Sequence, residues 1–304
     1  MNGALAFAPA IPRSGPSQFM ARIRIGVAYR WRHGFWPDLD RPRLFTEWVQ
    51  WRKLNDRDDG LARLTDKLHA KQLASDRLGE ALVIPTLWHG RELPLRPAWP
   101  MPFIVKANHG CNQFLVVRTP ADWQSARRTA PRWLRARYGR WLDEWHYTRA
   151  RRTLLIEPFI GPATELPIDY KIYVFNGVAQ IVQLHFDRLG NHRWVQFDRH
   201  WRRVSARDGI PDPTPPVTLA AMLTAAETMA GDRDHLRVDF YEVGGKIWFG
   251  ETCLFPGSGL DRFNPPKLDL ALGRLWAGRS AELKCWSTGE QSRDGSMSPL
   301  TIAN

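Results

Sequence analysis

A β-hairpin with two acids in it sets the terms for this chain. Residues 237–253 read RVDFYEVGGKIWFGETC: an apolar run, a Gly-Gly turn and a second apolar run. Asp239 stands in the first run and Glu251 near the end of the second, where a sheet normally buries apolar groups. Desolvated carboxylates are costly unless a cation faces them; left alone they take up protons. A magnesium ion would resolve this, because it binds carboxylate oxygens together with phosphate oxygens.

Register decides whether one ion can reach both acids. If Gly244-Gly245 is a plain two-residue turn, Val243 pairs with Lys246, Asp239 opposes Gly250, and the acids point to opposite sides of the sheet. A one-residue shift sets Asp239 opposite Glu251. The metal reading therefore predicts a longer turn or a bulge here, with Gly-Gly supplying the left-handed conformation a bulge uses. The competing reading is a surface hairpin with two solvated acids. Pro256-Gly257-Ser258-Gly259 weighs against it, because a glycine-rich turn lets backbone approach a ligand closely.

The chain has 304 residues, enough for one multi-lobed domain or two ordinary ones. Its formal charge of +12 points to an anionic partner: nucleic acid, nucleotide or an anionic membrane surface. Cys111, Cys253 and Cys285 are too few and too scattered for a disulfide framework or a zinc site, which favours a reducing compartment. No run approaches a membrane span of about 20 apolar residues. The start, MNGALAFAPAIPRSGP, lacks a basic leader region, so a cytoplasmic, soluble protein is expected.

Along the chain, residues 1–44 read as an N-terminal extension with a frayed start over 1–20. Residues 45–100 read as a helical region: two helices over 45–80 divided by Asp-Asp-Gly, a buried strand at 81–88 and a Pro-rich linker at 94–102. A small lobe follows at 101–160. Its strands are FIVKA, FLVV and TLLIEPFI, and its helix is expected at 121–146, where Leu134, Tyr138, Trp141, Leu142 and Trp145 make one apolar stripe. A larger lobe over 161–280 holds the Asn-Gly hairpin YKIYVFNGVAQIVQLHF, a strand at 191–198, a helix at 217–231, the acidic hairpin and a closing helix at 268–278. Residues 281–304 read as a flexible tail.

Lysines accompany the acids. Lys106 ends a strand and leads into Ala-Asn-His-Gly-Cys-Asn-Gln, so ammonium and loop amides could cover phosphate oxygens. Lys67 lies in TDKLHAKQLA, and Lys171 is two residues from Asp169 in a strand. Glu157-Pro-Phe-Ile would join the two lobes, a common place for a ligand.

The ordered set resembles the ATP-grasp superfamily, and more narrowly its TupA-like, teichuronopeptide-biosynthesis group. The resemblance spans 45–280 and rests on FTEWVQWRKLNDRD, TDKLHAKQLA, KANHGCNQFLVV, EWHYTRARRTLLIEPFI, DYKIYVFNG and RVDFYEVGGKIWFGE followed by FPGSG. It implies an α+β ATP-grasp fold, with ATP between a small lid lobe and a larger sheet lobe. By the same resemblance Lys67 and Lys106 hold ATP phosphates, and His109-Gly110 belong to a flexible loop over the triphosphate. Glu157, Phe159 and Ile160 form the adenine hinge, Asp169 holds ribose, and Lys171 reaches phosphate or acceptor. Arg237 lies near the transferred phosphoryl group, and Asp239 and Glu251 bind Mg²⁺. The implied reaction is carboxylate activation to an acylphosphate, then amide formation on a cell-surface polymer precursor.

Two positions depart from the family pattern. Asn112 stands where a second loop glycine is usual, and it tolerates left-handed backbone. Cys253 stands where many members carry Asn, and a soft thiol is a poor Mg²⁺ ligand. That leaves either two carboxylates with waters or weaker metal occupancy. Two rival readings remain: a nucleotide-sugar glycosyltransferase using the same acid pair, and a nucleic-acid binder using the nine arginines and interleaved Trp of 127–152. For the second, the simpler reading places Trp in an apolar stripe and Arg on the exposed face, so no nucleic-acid partner is expected. From charge alone, the basic face of 121–152 could touch membrane peripherally.

Overall fold

The structure, a computed structural model, describes residues 16–162, 166–186, 193–206 and 209–278. The tail expected at 281–304, the start of the chain at 1–15, and residues 191–192 of the strand expected at 191–198 lie outside these.

The N-terminal region is helical earlier than expected. Helix α1 (Pro16–His33) covers residues read as frayed chain and extension. Its Ala21, Ile25 and Tyr29, four apart, are buried with Leu39 and Leu54. Where two helices were expected over 45–80, three form: α2 (Phe45–Asn55), α3 (Asp59–Leu64) and α4 (Lys67–Leu78). The Asp-Asp-Gly stretch does not simply divide helices. Asp58 caps α3 by accepting from the Gly60 amide, and Asp66 caps α4 by accepting from the His69 amide.

The smaller sheet is antiparallel, with strands β1 (Trp88–Gly90), β2 (Phe103–Ala107), β3 (Phe114–Val117) and β4 (Leu154–Pro158) in the order β1-β4-β2-β3. The strand expected at 81–88 does not form. Residues 80–82 make a single 3₁₀ turn, and Val83 makes an isolated bridge to Phe249. Helix α5 (Pro120–Arg135) is capped by Thr119 and packs Trp123 and Ala126 against Phe103, Val105 and Ile156. It stops well short of 146: Ala136 is already extended, and the chain then turns through Gly139 and Asp143, both left-handed. The expected stripe is thereby broken, and Trp141 is exposed while Tyr147 is buried.

The larger sheet holds β5 (Asp169–Phe175), β6 (Val178–Phe186), β7 (Arg193–Asp198), β8 (His235–Val243) and β9 (Lys246–Cys253) in the order β7-β6-β5-β8-β9. Helices α6 (Leu219–Ala230) and α7 (Pro266–Trp276) complete the lobe. Opposed residues of adjacent antiparallel strands share a face. One row across all five strands is Phe197–Val182–Ile172–Val238–Thr252, almost wholly apolar and part of the main core. The next row, on the other face, is Gln196–Gln183–Lys171–Asp239–Glu251, polar from edge to edge.

Candidate active site

The acidic hairpin has the register the metal reading requires, by a different device from the one expected. Gly244 and Gly245 are both left-handed and form a plain two-residue turn, with Val243 opposite Lys246. The shift comes further along. Asp239 opposes Glu251 while Phe240 opposes Phe249, so Gly250 is the extra residue. A Cβ on Gly250 would lie 3.1 Å from the Asp239 carbonyl oxygen and 3.1 Å from Tyr241 Cε2. A glycine is what this crowded bulge admits.

On that face the charges interlock. Arg237 grips Asp239 with two bonds, Nε to Oδ1 at 2.7 Å and Nη2 to Oδ2 at 2.8 Å. Lys171 donates to Asp239 Oδ2 at 2.5 Å and Asp169 Oδ2 at 2.6 Å. Burial lifts the Asp239 carboxyl above its ordinary value against the pull of Arg237 and Lys171. Burial also pushes Glu251 up, but Lys67 and then Lys171 outweigh it and hold the carboxyl at about 2.

Helix α4 ties this face to the smaller sheet. Lys67 Nζ lies 2.8 Å from Glu251 Oε2 on β9, and Lys71, one turn on, lies 2.5 Å from Glu157 Oε1 on β4. Lys106 of β2 meets the other Glu157 oxygen at 2.6 Å. Burial pulls Lys106 down, yet Glu157 and Tyr241 leave it above the ordinary amine value; for Lys71 burial wins over Glu157 and the value falls. Glu157 is held low because Lys106 and Lys71 together outweigh its burial. Five cationic side chains and four carboxylates thus meet where the two sheets face α4.

The structure brings together Lys67, Lys106, Glu157, Asp169, Lys171, Arg237, Asp239 and Glu251. Other expected residues lie elsewhere. His109 is buried, with Nε2 3.1 Å from the Trp133 carbonyl, and Gly110 packs against Gln113 and Tyr138. Phe159 and Ile160 follow β4 half-buried, with the Arg118 guanidinium over the Phe159 ring. Asn112 is left-handed, φ 57°, as its loop position needs. The Pro256–Gly259 turn packs closely on α2: Gln50 donates to the Ser258 and Gly259 carbonyls, and a Gly259 Cβ would meet Gln50 and Thr46.

Lys71 was not singled out from sequence, although its i+4 spacing from Lys67 was a usable signal. Gln183 and Gln196 were also missed; each is a buried amide between apolar neighbours in its strand, and Gln196 Nε2 donates to Gln183 Oε1 at 2.8 Å. The arginines of 127–152 are partly engaged: Arg149 pairs with Asp59 and Arg151 with Asp66.

Asp239 and Glu251 fit a hard divalent cation in kind: two oxygen donors opposed on one face. Cys253 adds nothing, since burial pushes its thiol up to about 12 and it stays protonated. Among the described residues no cluster of three or more His, Cys, Asp or Glu is arranged to hold a metal.

The sequence profile of the TupA-like ATPgrasp family matches residues 47–277. The chain belongs to this family. Its α+β architecture of two antiparallel sheets is accordingly the ATP-grasp fold. Among solved structures, this ATP-grasp chain is similar to the D-alanine–D-alanine ligase of Bacillus anthracis, at 15% identity and TM-score 0.42, covering 71% of this chain and 64% of that one. It is also similar to the L-amino acid ligase of Bacillus licheniformis, at 13% identity and TM-score 0.46, covering 75% and 52%. The D-alanine–D-alanine ligase of Helicobacter pylori shares 16% identity at TM-score 0.41, covering 72% and 60%. The chain thus spans less than two thirds of each of these proteins. No curated protein sequence matches it.

Proposed function

We propose that the protein is an ATP- and magnesium-dependent ligase that joins a carboxylate to an amine through an acylphosphate, in building a cell-surface polymer. Family membership supports the ligase class. One observation carries the residue roles: the row Lys171–Asp239–Glu251, flanked by Arg237 and capped by Lys67, with Lys71, Glu157 and Lys106 beyond it.

In this reading Lys67, Lys71 and Lys106 take phosphate oxygens of ATP, while Glu157 holds two of these ammonium groups in place beforehand. The backbone at Phe159 and Ile160 receives the adenine edge, and Asp169 the ribose. Asp239 and Glu251 would hold Mg²⁺, which supplies charge neutralisation of the phosphates. Arg237 and Lys171 face the transferred phosphoryl group and stabilise the charge that develops on it; protein groups in such reactions mainly position and neutralise. The acceptor carboxylate oxygen attacks the γ-phosphorus and ADP leaves. The amine nitrogen then attacks the acyl carbon, releasing inorganic phosphate and a proton.

The acceptor is assigned to the far end of the polar row. There Gln183 and Gln196 line a small gap that also touches Trp194, Asp261 and Arg262. Trp194, Asp261 and Arg262, with Trp31 and Arg32, border a crevice of about 440 Å³. Arginines and tryptophan faces suit a carboxylate carried on a ring.

The test is an ATP turnover assay with amino acids and with uronic acids, free and nucleotide-linked. ADP and phosphate should appear only when a carboxylate and an amine are both present. Release of AMP would overturn the acylphosphate route.

A further inference from the structure

Helix α1 lies outside residues 47–277, and only its last turn, through Trp31 and Arg32 at the acceptor crevice, touches the proposed site. One of its faces is buried through Ala21, Ile25 and Tyr29. The opposite face is not polar, as a water-facing helix surface normally is. Phe19, Ile23, Val27 and Trp31, each four residues on, are 63%, 42%, 53% and 82% exposed, and Met20 beside them is 49% exposed. At 3.6 residues per turn these four sweep an arc of about 120°. Phe35 and Trp36, just past the helix, are exposed as well. An apolar surface this continuous marks a docking face.

Charge selects the occupant. Residues 16–33 contain Arg22, Arg24, Arg30 and Arg32 and no acid. Arg30 is exposed inside the apolar arc. Arg22 is paired with Asp40 and Arg24 with Asp143, so it is Arg30 that a second copy of the chain would set against its like, whereas an anionic lipid headgroup complements it, and Trp and Phe settle at the headgroup boundary. Arg24 holds Asp143 with bonds of 2.6 and 3.1 Å, which anchors the helix to the segment carrying exposed Trp141. We infer that α1 lies flat on an anionic membrane surface, with the Phe19–Ile23–Val27 stripe in the headgroup layer. Charge alone had pointed to the basic face of 121–152 for any such contact; the exposed stripe moves it to α1. No helix among the described residues is long and apolar enough to cross a membrane, so the contact is peripheral.

The full chain should sediment with vesicles of phosphatidylglycerol and phosphatidylcholine, and not with phosphatidylcholine alone. The Phe19→Ser/Ile23→Ser/Val27→Ser variant should lose about tenfold or more in partitioning while keeping its melting temperature and ATP binding. Arg30→Glu, a single exposed change, should weaken binding to anionic vesicles several-fold. Wild-type protein that stays in solution with anionic vesicles overturns the inference. So does a triple variant that sediments like wild type, or an Arg30→Glu variant that does. Dimerisation by light scattering that the triple variant abolishes would assign the stripe to a second copy instead.

Discussion

The two sheets bury charge in different proportions. On the smaller sheet a single carboxylate, Glu157, lies between Lys71 and Lys106, so cations are in excess. On the strands of the larger sheet Asp169, Asp239 and Glu251 are interleaved with Lys171 and Arg237, so acids lead there until Lys67 of α4 makes three of each. A cation-rich wall suits phosphate oxygens and an acid-rich wall suits a divalent metal. Helix α4, which gives Lys67 to one sheet and Lys71 to the other, holds the two walls together. These buried charges are tolerable because each meets an opposite charge, within its own strand as for Arg237 and Asp239 or across elements as for Lys67 and Glu251.

That contrast can be broken from either side. Asp239→Asn should have the largest effect: turnover in the ligase assay falls about 10²–10³-fold. Arg237 and Lys171 then lose their shared acid, and denaturant unfolding should show a loss of about 3–5 kcal/mol. Wild-type turnover in this variant would remove the acid-rich wall from the mechanism. Glu157→Gln should act on the other wall, raising KM for ATP about tenfold with kcat nearly unchanged, since it would release Lys71 and Lys106, the two lysines proposed for the phosphates. A fall in kcat with constant KM would show that the walls do not divide the work this way.

Gly250→Val tests the bulge. Its Cβ meets backbone at Asp239, so about 1–3 kcal/mol of stability should be lost together with much of the turnover, as circular dichroism melts and the assay would show. A Gln196→Leu variant should raise KM for the carboxylate acceptor several-fold and leave KM for ATP alone.

Asp269 supplies the smallest and sharpest comparison, a buried acid whose hydrogen-bond donors are neutral and whose charged neighbour is another acid, Glu47. It accepts from the Thr46 amide at 2.9 Å and hydroxyl at 2.7 Å. Burial pushes its carboxyl up to about 6 despite those bonds, whereas Glu157 and Glu251, faced by lysines, are held low. A folded value above the unfolded one, about 3.9, stabilises the protein fully below pH 4 and loses that contribution as pH rises through 6. Asp269→Asn should remove this decline from a stability–pH profile measured between pH 4 and 7. An unchanged profile would show that Asp269 ionises as an exposed acid does.

Much of this was legible in the chain. Acids within apolar strands are costly to bury without cationic partners, so the metal reading required Asp239 to oppose Glu251, while a surface hairpin with solvated acids stood as its rival. The position of the bulge did not follow, because Gly244, Gly245 and Gly250 all offer the needed freedom and crowding around Gly250 arises only in three dimensions. Helix α1 escaped because its outer face is as apolar as its inner one, which blurs the helical period. The helix expected over 121–146 ended at Arg135, where Ala136 turns extended, and the left-handed Gly139 and Asp143 beyond it carry the apolar spacing off the helix. Lys71 was readable from its spacing, but its role became visible only once Glu157 was seen between it and Lys106.

The central claim is that ATP binds with its metal held by Asp239 and Glu251. Calorimetric titration of ATP into the full chain, with excess magnesium and again with EDTA, tests it most directly when repeated on an Asp239→Asn/Glu251→Gln variant. The expected result is wild-type affinity about tenfold or more higher with magnesium, and no such difference in the variant. An equal affinity with and without magnesium in the wild type, or a magnesium effect that survives in the variant, would contradict it.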